Sequence, residues 1–163
     1  MSIDQSLVST NQSTATTAAG YLRPGMSSWP EDARAASRVL ESADAVPATD
    51  RRSVARQRYR VAAMLSSLSM EFGERAIAVY TRDVTEKSLG FLCRRSLATG
   101  TRAVVRIPLP GGATLDVTCT VRRCRPVIHG DSNTGWYEGA LIFSQPQSVF
   151  SPTAYTRGNA AEI

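Results

Sequence analysis

The stretch "DRRSVARQRYRV", residues 50–61, puts five arginines into ten consecutive positions: Arg51, Arg52, Arg56, Arg58 and Arg60. A guanidinium presents a planar fork of donors that pairs bidentately with phosphate or with the O6/N7 edge of guanine, and it stacks on flat rings. The chain's positive charge is almost wholly of this kind: Lys plus Arg number 19 against 14 Asp plus Glu, a net of +5, and Lys87 is the one lysine. That excess suits an anionic partner, yet it is milder than a coating of nucleic-acid phosphate usually takes. A second stretch, "DVTEKSLGFL", residues 83–92, offers Asp83 and Thr85 as partners for nearby backbone, the chemistry of a tight turn. Gly90 then sits at the start of an apolar run, where a backbone approaches something closely or takes an unusual dihedral.

Other chemistry is thin. His129, the one histidine, stands in a Gly/Asp/Ser/Asn loop without a serine elbow or paired acids, so no catalytic residue and no enzyme is expected. The cysteines, Cys93, Cys119 and Cys124, have neither zinc spacing nor a disulfide framework. They read as reduced thiols of a cytoplasmic protein, packed in its core, and a bulge near Arg122 would decide how Cys119 and Cys124 face. No metal is expected. No apolar run reaches the length of a bilayer span, and the N-terminal segment lacks the basic start and apolar stretch of a secretory signal, so membrane insertion is not expected.

The elements that must position these residues follow from composition and period. Residues 1–27, rich in Ser, Thr, Ala and Gln, are expected to form a disordered tail. Residues 28–46 read as a helix and linker: Ser28 with Glu31 makes a capping box, Pro30 fits the first turn, and Pro47 ends the helix. Trp29, Ala33, Ala36, Leu40 and Ala43 form one weakly apolar stripe, suited to packing on the domain or on a partner. From Arg58 the period changes to two, which predicts strands at 58–68, 75–83, 88–94, 101–109, 113–125 and 134–143. In the clearest, "TLDVTCTVR", Leu115, Val117, Cys119 and Val121 alternate with polar residues. "PLPGGATL" supplies a Gly-Gly turn, "HGDSNTGW" reads as a polar loop, and residues 146–163 read as a C-terminal tail. The fold class is therefore all-β, a small antiparallel barrel or sandwich of six strands with one helix before it. By parity, Arg58 and Arg60 belong to the solvated face of the first strand.

Two of these stretches together resemble a known family. "RSVAR", residues 52–56, matches the Arg-x-x-x-Arg that precedes the first strand of PilZ domains, and "DVTEKSLG" is similar to their Asp/Asn-x-Ser-x-x-Gly motif. "WYEGALIF" also looks like the aromatic-x-Gly-apolar-x-Phe strand with which these barrels end. The resemblance covers residues 50–145 and implies a six-stranded antiparallel barrel that binds cyclic di-GMP and relays it to a protein partner, with no cofactor. Carried over by position, it implies a ligand site of Arg52 and Arg56, with Arg51 in reserve, facing Asp83, Thr85, Ser88 and Gly90. Thr85 stands where serine is usual and keeps the hydroxyl. Ser88 stands at the motif's glycine, where a positive φ or a close ligand approach would cost serine about 1 kcal/mol or more. Two alternatives accompany this reading: a degenerate PilZ-like adaptor that does not bind nucleotide, and a small basic barrel that binds nucleic acid. The last lacks a stacking platform, since only Tyr59 interrupts the arginine run.

Overall fold

The structure is a computed structural model that describes residues 29–44, 56–68 and 76–152. The tail expected at 1–27, Ser28 of the capping box, and Arg51 and Arg52 lie outside the described residues. A helix, α1 (Glu31–Asp44), precedes seven strands: β1 (Gln57–Arg58), β2 (Ala62–Ser67), β3 (Ile77–Val84), β4 (Ser88–Cys93), β5 (Arg102–Pro108), β6 (Thr114–His129) and β7 (Ser132–Phe143). Six of them close a barrel in the order β2-β3-β4-β7-β6-β5, with β5 pairing back onto β2 and every pairing antiparallel. Closure leaves none of these six strands at a free edge, and it leaves two open ends.

Strict alternation builds the core. Val79 and Thr81 on β3, Leu89, Phe91 and Cys93 on β4, Val117, Cys119 and Val121 on β6, and Leu141 and Phe143 on β7 are all buried, while their neighbours face outward. The first predicted strand is split into β1 and β2, and Thr81 is the reason. Its buried hydroxyl donates to the Tyr59 carbonyl at 2.6 Å and accepts from the Val61 N–H at 2.9 Å, so a side chain replaces ladder partners there. β6 shifts register between Val121 and Arg123, as a bulge near Arg122 would require, and both Cys119 and Cys124 pack on the core side.

Three expectations change. "HGDSNTGW" is mostly strand: His129 pairs with Ser132 and Ile128 with Asn133, leaving a two-residue turn in which Gly130 takes φ +60°. Of the tail expected at 146–163, residues 153–163 lie outside the described residues, and the part before them is packed on the barrel. Phe150 is fully buried, edge-on to Tyr59 with ring centroids 5.6 Å apart, and plugs one end of the barrel. Arg60, expected on a solvated face, has a side chain only 10% exposed. It lies 5.1 Å from the Trp29 ring centroid and pairs with Glu41, because α1 covers that part of the barrel.

The alanine stripe explains why α1 docks. Ala33 and Ala36 let the helix backbone come close to Leu92, Val127 and Trp136, while Trp29 reaches down edge-on to Tyr80. Glu31 and Asp32 occupy its first turn, where the helix dipole favours acids. Asp32 pairs with Arg94, whose guanidinium lies 4.2 Å from the Trp136 ring centroid.

Candidate ligand site

Register across four strands places the outward side chains of the barrel in rows. One row runs Asp83, Gly90, Ala140, Arg123 from β3 through β4 and β7 to β6. The row toward α1 runs Tyr80, Leu92, Glu138, Arg125, and the opposite row carries Ser88, Ile142 and Thr120. Gly90 and Ala140 are small, and they form a narrow floor, half-buried at Gly90 and 8% exposed at Ala140, between a carboxylate and an arginine.

Arg56, immediately before β1, brings its Nη1 to 3.5 Å from Asp83 Oδ1. Asp83 leans over Gly90: a Cβ added there would stand 2.7 Å from the same Oδ1. A Cβ at residue 90 would therefore displace the Asp83 carboxylate, and the φ of Gly90 is not positive. The arginine run and the second stretch therefore meet at one point, through Arg56 and Asp83.

Thr85 and Ser88 form the adjoining turn. The Thr85 hydroxyl accepts from the Ser88 N–H at 3.0 Å and the Lys87 N–H at 3.2 Å, and the Thr85 N–H donates to the Ser88 carbonyl at 2.8 Å. The Thr85 and Ser88 hydroxyls share a further hydrogen bond of 2.9 Å. No non-glycine residue among those described has positive φ, so Ser88 opens β4 without the backbone strain that serine at the motif's glycine could have imposed. Its side chain instead ties the turn together.

Glu138 gathers three arginines. Its side chain is 3% exposed and is faced by Arg82 at 3.9 Å, Arg123 at 3.4 Å and Arg125. None of these four residues stands out in the sequence: Glu138 interrupts an apolar strand, and only register brings Arg82 of β3 beside Arg123 of β6. The thiols lie on the inner side. Burial pushes Cys119 up to about 12. Cys124 is lowered to about 7 chiefly by a hydrogen bond from Cys93, whose own titration that bond moves far upward. Among the described residues no group of His, Cys, Asp or Glu could hold a metal ion, and no helix is long and apolar enough to cross a membrane.

The family model described as PilZ domain matches residues 50–135, from the arginine run into the β6–β7 hairpin. The chain belongs to the PilZ family. No curated protein matches it. PilZ domains are a cyclic di-GMP-binding family, acting by ligand binding and adaptor contacts, and the closed barrel is consistent with that family. The match spans both motifs, while most of β7, which closes the barrel between β4 and β6, lies just beyond it.

Proposed function

We propose that this PilZ domain binds cyclic di-GMP through its Arg-x-x-x-Arg segment and the outer wall of β3 and β4, and relays occupancy to a protein partner. The observation that carries the reading is the contact of Arg56 with Asp83 over Gly90, which joins the two motifs in one place. Arg52 and Arg56, with Arg51 beside them, supply forked donors for the phosphates and planar faces for the guanines. Asp83 accepts from a guanine N–H. Thr85 and Ser88 hold the turn that sets the height of that wall, and Gly90 leaves room above it. No bond of the nucleotide is made or broken; the ligand acts by favouring the conformation it binds best. The segment carrying Arg51 and Arg52 joins α1 to β1, so closure on the ligand bears directly on the helix that a partner would meet.

One observation favours a second reading, an adaptor that binds no nucleotide: Ser88 puts a side chain where the motif keeps none, and engages Thr85 with it. Calorimetry separates the two. Cyclic di-GMP gives a saturable isotherm with the wild type under the first reading, cyclic di-AMP gives a much weaker one, and Arg52→Ala/Arg56→Ala abolishes it. Absence of heat at high micromolar ligand supports the adaptor, whose partner is then retained in pull-downs whatever nucleotide is present.

A further inference from the structure

We propose that Arg123, on β6, reads the guanine base, and so sets base specificity from the far side of the site. The inference rests on cyclic di-GMP being the ligand. Asp83 and Arg123 end one continuous row with only Gly90 and Ala140 between them. At about 4.8 Å per strand the two backbones stand about 14 Å apart along the barrel. Ala140 is 8% exposed, so one bicyclic base fits between their side chains when Arg123 turns outward, as its 46% exposed side chain allows.

The two walls differ in chemistry, and guanine differs along its edges in the same sense. One side of the base offers the N1–H and N2–H donors, which suit a carboxylate. The side across the ring offers the N7 and O6 acceptors, which suit a guanidinium. A guanine lying over Ala140 with its donors toward Asp83 therefore turns its acceptors toward Arg123. Adenine in the same place would face the carboxylate with the N1 acceptor, a repulsive contact, and would keep N7 for the arginine but put the N6 amino donors where guanine has the O6 acceptor, so the bidentate contact is lost.

Arg123 is suited to this role by its surroundings. The bulge at Arg122 puts Arg123 directly opposite Ala140. Glu138, 3% exposed, anchors one Nη of Arg123 at 3.4 Å, while the side chain is still 46% exposed and can turn its other donors outward. Arg125 engages the same carboxylate but stands opposite Glu138, one row nearer α1 and off the glycine–alanine floor. It is the control for charge alone.

The test is calorimetry of the full chain with cyclic di-GMP and with its 7-deaza analogue, which lacks N7, on the wild type, Arg123→Ala, Arg125→Ala and Arg56→Ala. Loss of Arg123 should weaken cyclic di-GMP by roughly 10- to 100-fold, and Arg125→Ala by much less. Loss of N7 should weaken wild-type binding by roughly three- to tenfold and leave Arg123→Ala unaffected, since half of one bidentate contact is removed. The proposal is overturned alone, with the ligand reading intact, if Arg56→Ala destroys binding while Arg123→Ala binds like the wild type. It is also overturned alone if the 7-deaza change weakens wild type and Arg123→Ala equally. If the wild type binds neither nucleotide, both readings fall together.

Discussion

Replacing Trp29 by alanine should release α1 and leave the barrel folded. The indole is 2% exposed, packs edge-on to Tyr80 at 6.1 Å between centroids and carries the Arg60 guanidinium at 5.1 Å. Truncating a buried aromatic of this size costs about 3–5 kcal/mol, of which the cation–π contact is a part. The other apolar contacts of α1 are two alanines and the half-buried Val39 and Leu40, too little to replace the indole. Of its ion pairs, Asp32–Arg94 is half exposed and Glu41–Arg60 more buried. Exposed pairs contribute at most about 1 kcal/mol, and an undocked helix of 14 residues is itself marginal in water. The open population of α1 should therefore rise by about two to three and a half orders of magnitude, at 1.4 kcal/mol per tenfold. Native-state hydrogen exchange reads this directly: amides of α1 lose about 100-fold or more in protection, while those of β5 and β6 change only a few-fold. If α1 protection is unchanged, the indole does not hold the helix. If barrel and helix lose protection together, α1 is part of the cooperative core and the reasoning about separable docking is wrong.

Phe150→Ala tests the plug; the cavity left beside Tyr59 and Phe143 should cost about 3–5 kcal/mol, read as a lower midpoint in urea with unchanged slope. A truncation before residue 148 should act in the same direction. Gly90→Ala should be nearly neutral for folding, since alanine gains about 0.5–1 kcal/mol in a strand and the displaced Asp83–Arg56 pair is worth about that or less. Cyclic di-GMP affinity should nevertheless fall at least tenfold, and unchanged affinity would show that Asp83 need not lie over a bare floor. Cys124, lowered to about 7, should be alkylated faster than Cys119, with a rate rising through a midpoint near that pH that Cys93→Ala moves back up. The sign for stability follows: a depressed thiol contributes fully above its ordinary pKa and loses that contribution as pH falls through about 7, whereas the raised Cys93 opposes it only in the alkaline range.

Period-two alternation made the strands legible, because a barrel wall buries one face of each strand and leaves the other wet. The start of the helix was legible for an equally local reason, in Pro30 and Glu31. Arg60 was not. Its parity is that of an outward residue, and parity carries no knowledge that α1 lies over that outward face. Phe150 was hidden because one aromatic among Ser, Pro and Gln has no period, and its burial comes from an open barrel end that only the assembled topology possesses. Of the candidate site, Arg56, Asp83, Thr85, Ser88 and Gly90 were marked by the resemblance of two stretches to the PilZ motifs, while the residues alone gave only a basic run and a tight turn. That Asp83 meets Arg56, and Thr85 meets Ser88, is a matter of local turn and register. Glu138 and its arginines required pairings across β3, β4, β7 and β6, with two bulges in the way, and no stretch of sequence encodes those separately.

Ligand recognition by this domain is tested most directly by one isotherm, that of the full chain titrated with cyclic di-GMP beside cyclic di-AMP. The proposed site should give saturable binding of the guanine nucleotide, far weaker binding of the adenine one, and loss of the signal in Arg52→Ala/Arg56→Ala. Equal heats from the two nucleotides, or an isotherm indifferent to that double substitution, would contradict it.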